Sequence, residues 1–130
     1  MAAASTTLAG EQDQTPYGQG PSGVLTYGAD GRMSALISYG GRKPLSGRGL
    51  AEEDAQAFRT FLGYAGRYSV EGNQIVHHVE ISSIQNYVGR DMVRTVKIDG
   101  DRIVLRTPPT PVNGKVQTVE LIWERLEPAR

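Results

Sequence analysis

The chain has 130 residues, which suits one domain with one hydrophobic core. Its 14 Lys and Arg residues balance 14 Asp and Glu residues, so the near-zero net charge argues against nucleic acid as a partner. The absence of cysteine excludes disulfides, thiolate nucleophiles and cysteine metal sites. The sequence contains neither a membrane-helix run nor a secretory signal, so we expect a cytoplasmic protein without a membrane partner.

The N-terminal segment differs in composition from the rest. Residues 1–20 are mostly small or polar and include few large apolar groups. Such a segment buries too little surface to offset the entropy lost on ordering, so we predict a flexible tail over residues 1–20. We predict a single β-barrel domain over residues 21–127, because the 16 glycines and 7 prolines are spread among short apolar runs.

Short strands separated by turn residues fill most of the chain. The Asp30-Gly31 and Asn113-Gly114 pairs supply the positive φ angles that tight hairpins need. Pro108, Pro109 and Pro111 disfavour strand pairing within the segment that connects the last two strands. The pattern predicts strands over residues 23–27, 32–39, 64–71, 74–82, 91–99, 102–107 and 116–125. A meander of seven strands closes readily into a barrel, because closure removes the unpaired edges.

Residues 51–62 are predicted as the one helix. Glu52, Glu53 and Asp54 lie in its first turn, where the helix dipole favours negative charge. The apolar residues recur at helical spacing and end in Phe58, Phe61 and Leu62. We expect this face to pack over one end of the barrel.

An ordered set of short motifs runs through residues 17–126. The motifs lie at 23–27 (GVLTY), 30–35 (DGRMSA), 64–68 (YAGRY), 77–82 (HHVEIS), 86–89 (NYVG), Arg94, 107–109 (TPP) and 121–125 (LIWER). In order and spacing the set resembles a family of small lipocalin-like domains, which are calycin-type β-barrels. The resemblance implies a β-barrel, and with the strand and helix pattern above we predict a seven- to eight-stranded antiparallel barrel with one helix at an end. It also implies an interior cavity for a small apolar or aromatic molecule.

The resemblance leaves the activity open. Some lipocalin-like barrels of natural-product biosynthesis act as cofactor-independent isomerases or cyclases, so the same cavity allows an enzyme as well as a binding protein. A third alternative is a partner-binding protein whose barrel is filled by its own side chains. We expect no cofactor in any of these cases.

The chain departs from the family at its start. Members usually begin with a strand carrying Leu-x-Gly-Thr-Trp, whereas Leu8-Ala9-Gly10 is followed here by Glu11 and Gln12. Three outcomes stay open: the tail pairs weakly, the barrel has a gap, or a second subunit covers the open edge. A homodimer is therefore one of the expected partner states.

The strand over residues 74–82 has two faces that compete for the interior. Period alone favours the face with His77, because its other members are apolar. The opposite face carries His78 and Glu80. An interior Arg94 needs an anion, and Glu80 is a natural partner. Because of that need, and because the histidine and glutamate match family motif positions, we predict that His78 and Glu80 face the cavity and that Glu80 contacts Arg94.

The candidate site follows from this choice. We assign catalytic roles to Glu80, His78 and Arg94, since a desolvated Glu or His can act as a general base. The ligand-binding set consists of residues with an apolar body, most with a polar tip: Tyr39, Tyr64, Tyr68, Tyr87, Trp123 and Met33. The competing interpretation is a structural ion pair surrounded by ordinary core. His77 and His78 point to opposite faces of one strand, so no metal site is expected.

Overall fold

A computed structural model of the chain describes residues 2–8, 17–18, 20–112 and 115–126. Its elements, in chain order, are β1 (Ala2–Leu8), β2 (Ser22–Tyr27), β3 (Arg32–Ser38), α1 (Ala51–Arg59), β4 (Phe61–Glu71), β5 (Gln74–Ser82), a 3₁₀ turn (Gln85–Tyr87), β6 (Asp91–Asp99), β7 (Arg102–Arg106), β8 (Thr110–Val112), β9 (Lys115–Gln117) and β10 (Val119–Glu124). The barrel order is β1-β10-β7-β6-β5-β4-β3-β2, with every neighbouring pair antiparallel. The predicted all-β antiparallel barrel with one helix is confirmed.

The predicted opening hairpin is present. Gly31 adopts a φ of 85°, which a side chain would disfavour, and the Gly28 amide donates to the Arg32 carbonyl at 2.8 Å. The Asp30 carboxylate accepts a hydrogen bond from the Arg32 amide at 3.1 Å. These contacts fix the register of β2 against β3, in which Tyr27 lies opposite Met33.

The segment predicted as a tail contains a barrel strand. Strand β1 pairs along β10, with Leu8 opposite Val119, and meets β2 at one residue pair, Ala2 with Val24. Of the three outcomes considered for the start of the chain, the structure therefore has the one in which residues before β2 pair with the sheet. Residues 1, 9–16 and 19 of the predicted tail lie outside the described residues. Because β1 occupies the edge that suggested a homodimer, dimerisation stays a prediction without that argument.

The hydrophobic core lies inside the barrel and draws alternate residues from the strands. Its buried members are Leu25, Met33, Ala35, Ile37, Leu62, Tyr64, Ile75, Val79, Leu105 and Trp123. The alternation is that of strands with one face inward. In the described residues no helix has the length and hydropathy to span a membrane.

Near its end, strand β5 contains a register shift that changes which side chains face inward beyond it. Ala65 pairs with Ile81, but the next residue, Gly66, pairs with Val79, so Glu80 is an extra residue opposite β4. A Cβ atom at Gly66 would collide with the backbone carbonyl of His78. Beyond the bulge, Ile81 is 66% exposed. The bulge thus places Ile81 on the outside, where simple alternation would have placed it inside. It also requires glycine at position 66 of the partner strand.

The helix is shorter than predicted and does not pack into the barrel. It ends at Arg59, and Phe61 and Leu62 belong to β4, where Phe61 pairs with Ser38 of β3. Phe58 is 51% exposed, so the prediction that it packs over the core is wrong. Pairing with β3 takes Phe61 and Leu62 into the sheet, because tertiary contacts outweigh a short helical period.

The proline-rich connection forms a small ribbon of its own. Strand β8 pairs with β9 as a separate two-stranded sheet, and Pro111 lies opposite Val116. The predicted last strand, 116–125, is therefore divided between β9 and β10. Residues 113–114, predicted as a turn, lie outside the described residues.

Replacing Gly66 with alanine tests the close approach of β4 and β5. We expect Gly66→Ala to lower the free energy of unfolding by about 1–3 kcal/mol, since the backbone must shift to admit the methyl group. Gly63→Ala is the matched control on the same strand, because the atoms closest to its Cβ would be side-chain atoms of Leu36 and Phe61 at 3.1 Å and 3.3 Å, with the nearest backbone atom 4.0 Å away. Urea denaturation measures both, and equal losses would contradict this account of the bulge.

A second pair of variants tests the corrected position of the helix. We expect Phe58→Ala to cost less than about 1 kcal/mol, because the ring is half exposed. Leu62→Ala removes a buried core residue and should cost about 2–5 kcal/mol. A larger loss at Phe58 than at Leu62 in urea denaturation would mean that the helix covers the core after all.

Candidate functional site

His77 bridges two tyrosines inside the barrel. Its Nε2 lies 2.6 Å from the Tyr27 hydroxyl and its Nδ1 lies 2.7 Å from the Tyr64 hydroxyl. The histidine belongs to β5, whereas the tyrosines belong to β2 and β4. In a neutral imidazole one nitrogen donates and the other accepts, so both ring nitrogens are satisfied by tyrosine hydroxyls.

Burial keeps the interior group of ionisable residues neutral. His77 is 1% exposed, and loss of solvation, followed by the charges of Arg94 and His78, lowers its pKa from 6.5 to about 4. Burial, with a smaller contribution from Tyr39, raises the pKa of Tyr17 to about 12. Loss of solvation likewise raises the pKa of Tyr27 and of Tyr64. At neutral pH these side chains therefore carry no charge.

Arg94 brings a positive charge into this neutral interior. It lies on β6, opposite Ile75 of β5, and is partly buried. Its Nη1 donates to the carbonyl oxygen of Val93 at 2.9 Å, and its Nη2 lies 3.8 Å from the sulfur of Met92. None of the salt bridges between described residues includes Arg94. A guanidinium has five N–H donors and stays protonated, so this one retains donors for a further acceptor.

Trp123 offers a second donor. It lies on β10, is 1% exposed, and its Nε1 has no hydrogen-bond partner among the described residues. A buried N–H without an acceptor is destabilising, and buried polar groups in folded proteins are rarely left in that state. The indole N–H is therefore a second sign that this interior is arranged for an acceptor group.

One interior cavity of about 80 Å³ is lined by Arg94, Trp123 and two of the tyrosines, Tyr17 and Tyr64. Its wall combines aliphatic residues with aromatic rings and one cation: Tyr17, Leu25, Ala35, Ile37, Leu62, Tyr64, Tyr87, Met92, Arg94, Leu105, Leu121 and Trp123. The volume is below the range of about 300–1,000 Å³ that is usual for drug-sized ligands. Without movement of its walls, the cavity therefore accommodates about one aromatic ring.

A larger cleft of about 650 Å³ lies outside the barrel, between residues 40–45 and α1. Two of its charged side chains form hydrogen bonds with neighbouring hydroxyls: Arg42 donates to Thr60 at 3.1 Å, and Glu53 accepts from Ser46 at 2.6 Å. We regard the interior cavity as the candidate site, despite its smaller volume, because among the described residues the buried side-chain donor without a partner, the Trp123 indole N–H, lines this cavity and not the cleft.

The predicted catalytic group is corrected by these positions. Glu80 faces outward, with its side chain 48% exposed, and pairs with Arg67 at 3.4 Å rather than with Arg94. His78 also lies outside, where its Nδ1 is 2.8 Å from Asp91 and its Nε2 is 3.0 Å from Ser69. The choice of the mixed face of β5 is therefore wrong, and the interior face is the one with His77. Of the three predicted catalytic residues, Arg94 alone lines the cavity.

The predicted ligand-binding residues are divided between the cavity and its surroundings. Tyr64, Tyr87 and Trp123 line the cavity. Tyr39 packs edge-to-face against Tyr17, with ring centroids 5.0 Å apart. The other two belong to the surrounding core: the Tyr68 hydroxyl donates to the Gly28 carbonyl at 2.7 Å, and Met33 is buried. Whether any of them binds a ligand stays a prediction.

Three members of the interior group were missing from the predicted site. His77 had a clear signal, because Ile75, His77 and Val79 alternate as one apolar face. Tyr27, the last residue of β2, also had an inward position by alternation with Leu25. Tyr17 had none, since it lies within the segment predicted as a tail.

The closed antiparallel barrel around an interior cavity places the chain in the class of small antiparallel β-barrel proteins. The lipocalin-like domain family matches residues 2–126, and the chain belongs to that family. A protein of Aspergillus oryzae is 34% identical over 107 residues, which cover 72% of this chain and 96% of that protein. It is named 4'-hydroxy-3'-methoxypropiophenone carrier protein ppsC.

The depressed pKa of His77 predicts a specific dependence of stability on pH. The unfolded chain takes up a proton at His77 below its ordinary pKa of 6.5, whereas the folded protein does so only near a pKa of about 4. Stability should therefore fall as pH decreases from about 6.5 to about 4, by roughly 3 kcal/mol from this residue.

Urea denaturation across that pH window, compared between wild type and His77→Gln, measures the effect. The variant should be less stable at pH 7 and should lose less stability on acidification. His78→Gln is the control, since it removes the outward-facing histidine of β5 and leaves the interior network in place. Identical slopes for wild type and His77→Gln would contradict a neutral, buried His77.

Proposed function

We propose that the protein binds a small aromatic molecule with oxygen substituents inside the barrel and carries it without transforming it. The observation that carries the proposal is the composition of the cavity wall, in which aromatic rings surround a cation that pairs with no described carboxylate. Rings favour an aromatic ligand, and Arg94 favours one with an acceptor oxygen. The similarity to a protein named as a carrier of a hydroxylated, methoxylated propiophenone supports the same class of ligand.

The size of the cavity restricts the ligand. A volume of about 80 Å³ suits a single ring, so a ligand with longer substituents requires a wall residue to move. Met92 is the best suited, because its unbranched side chain changes conformation at little cost. We therefore expect a one-ring ligand.

A cofactor-independent isomerase or cyclase is the second candidate. The Tyr64–His77 hydrogen bond at 2.7 Å favours it, since this pair connects the cavity wall to an imidazole. It has less support than the carrier, because both nitrogens of His77 are engaged with tyrosines and the two predicted bases, His78 and Glu80, face outward. A role in biosynthesis and a cytoplasmic location stay expectations from the sequence.

The fluorescence of Trp123 can be used to measure ligand binding. This residue is the one tryptophan of the chain and lines the cavity, so its fluorescence should respond to a ligand bound beside it. We expect 4'-hydroxy-3'-methoxypropiophenone to change the emission saturably and to give the same Kd by calorimetry. Chromatography after incubation should recover the compound unchanged, whereas conversion to a product would favour the enzyme.

A matched pair of variants identifies the cavity that binds. Ala35→Val adds two methyl groups to the wall of the interior cavity, and Ala57→Val adds the same two to the outer cleft. Binding should weaken in the first and stay unchanged in the second, with folding of both checked by circular dichroism. The absence of saturable binding, or the reverse response of the two variants, would overturn the proposal.

A further inference from the structure

The interior cavity contains more hydrogen-bond donors than acceptors. The guanidinium of Arg94 uses one N–H on a backbone carbonyl and places another near a thioether sulfur, which is a weak acceptor. The indole N–H of Trp123 has no acceptor among the described residues. Both side chains line the same cavity of about 80 Å³, so one small ligand there contacts both.

The tyrosines around the cavity do little to correct this imbalance. Of the tyrosines that line the cavity, Tyr64 has its hydroxyl paired with His77. The hydroxyls of the other two, Tyr17 and Tyr87, accept a hydrogen bond from neither Arg94 nor Trp123. A ligand atom that satisfies Arg94 and Trp123 must therefore be an acceptor and should not bring a proton of its own that needs a further partner.

A carbonyl oxygen meets both conditions, and a phenol does not. The carbonyl has two lone pairs and no proton, so it can accept from a guanidinium and an indole together. A neutral phenol oxygen can also accept, but it brings a proton that needs an acceptor of its own. Burial raises the pKa of Tyr17 and Tyr64 on this wall, which indicates that a phenol held here stays protonated.

Building on the proposed function, we infer that the cavity selects aromatic ketones, with the carbonyl oxygen accepting hydrogen bonds from Arg94 and from the indole N–H of Trp123. These two residues then determine specificity, while the rings and aliphatic side chains of the wall contribute affinity without distinguishing a ketone from a hydrocarbon. The outward-facing histidine and glutamate of β5 have no part in recognition.

The test compares two ligands that differ only at the carbonyl: 4'-hydroxy-3'-methoxypropiophenone and 2-methoxy-4-propylphenol. Calorimetry should give a Kd that is about 10- to 100-fold lower for the ketone, because hydrogen bonds to charged groups are among the stronger ones in proteins. In Arg94→Met the ratio of the two Kd values should fall to near one, and in Trp123→Phe it should fall by about tenfold or less. Arg94→Lys, which restores a charged donor, should recover part of the ratio.

Arg94→Met should fold, since it removes a cation that has no carboxylate partner among the described residues, and its denaturation midpoint checks this. If wild type binds both ligands equally, or if the preference for the ketone survives in Arg94→Met, the inference that Arg94 selects the carbonyl is wrong while the carrier proposal stands. If neither ligand binds, the carrier proposal itself fails.

Discussion

The two hydrogen bonds of His77 hold the interior of the barrel together. They link β5 to Tyr27 of β2 and Tyr64 of β4, so one imidazole joins three strands at a point away from solvent. This arrangement suits a neutral ring, in which one nitrogen donates to a tyrosine and the other accepts from one. If both nitrogens carried a proton, the tyrosine that now donates would have to rotate its hydroxyl hydrogen away before its oxygen could accept. Burial supplies the neutrality by lowering the pKa of His77 to about 4. Tyr64 on the cavity wall is therefore held by a hydrogen-bond network that protonation of His77 would weaken.

Most of the fold could be predicted from residue patterns. Asp30-Gly31 fixed the first hairpin because its backbone conformation suits few other residues. The inward sets on the later strands, such as Leu121 with Trp123, followed from a period of two. The end of the helix could not be predicted in this way, because Phe61 and Leu62 fit a helical stripe and a strand equally well. Pairing with β3, which no local pattern encodes, decides between them.

The candidate site was harder to predict, and two assumptions explain why. We expected a buried guanidinium to have a carboxylate partner within the chain, and we gave weight to the match of His78 and Glu80 to family motif positions. Together these outweighed the period of β5, which correctly placed His77 inside. Glu80 instead lies at a bulge and pairs with Arg67 on the outside. The rule that buried charges are paired holds for stability. It fails as a guide at Arg94, which is in no salt bridge between described residues and whose partner, under the proposed function, is the ligand.

Arg94 and Trp123 illustrate how stability and binding compete in a small barrel. A barrel of this size can be filled by its own side chains, and a methionine and a phenylalanine at these positions would leave no unsatisfied donor. The chain instead places a cation and an indole N–H beside a space of about 80 Å³. Such groups lower stability in the empty protein, and a bound acceptor removes that loss. Binding should therefore stabilise the fold by more than apolar contact alone would provide, since the ligand completes the hydrogen bonding of the core.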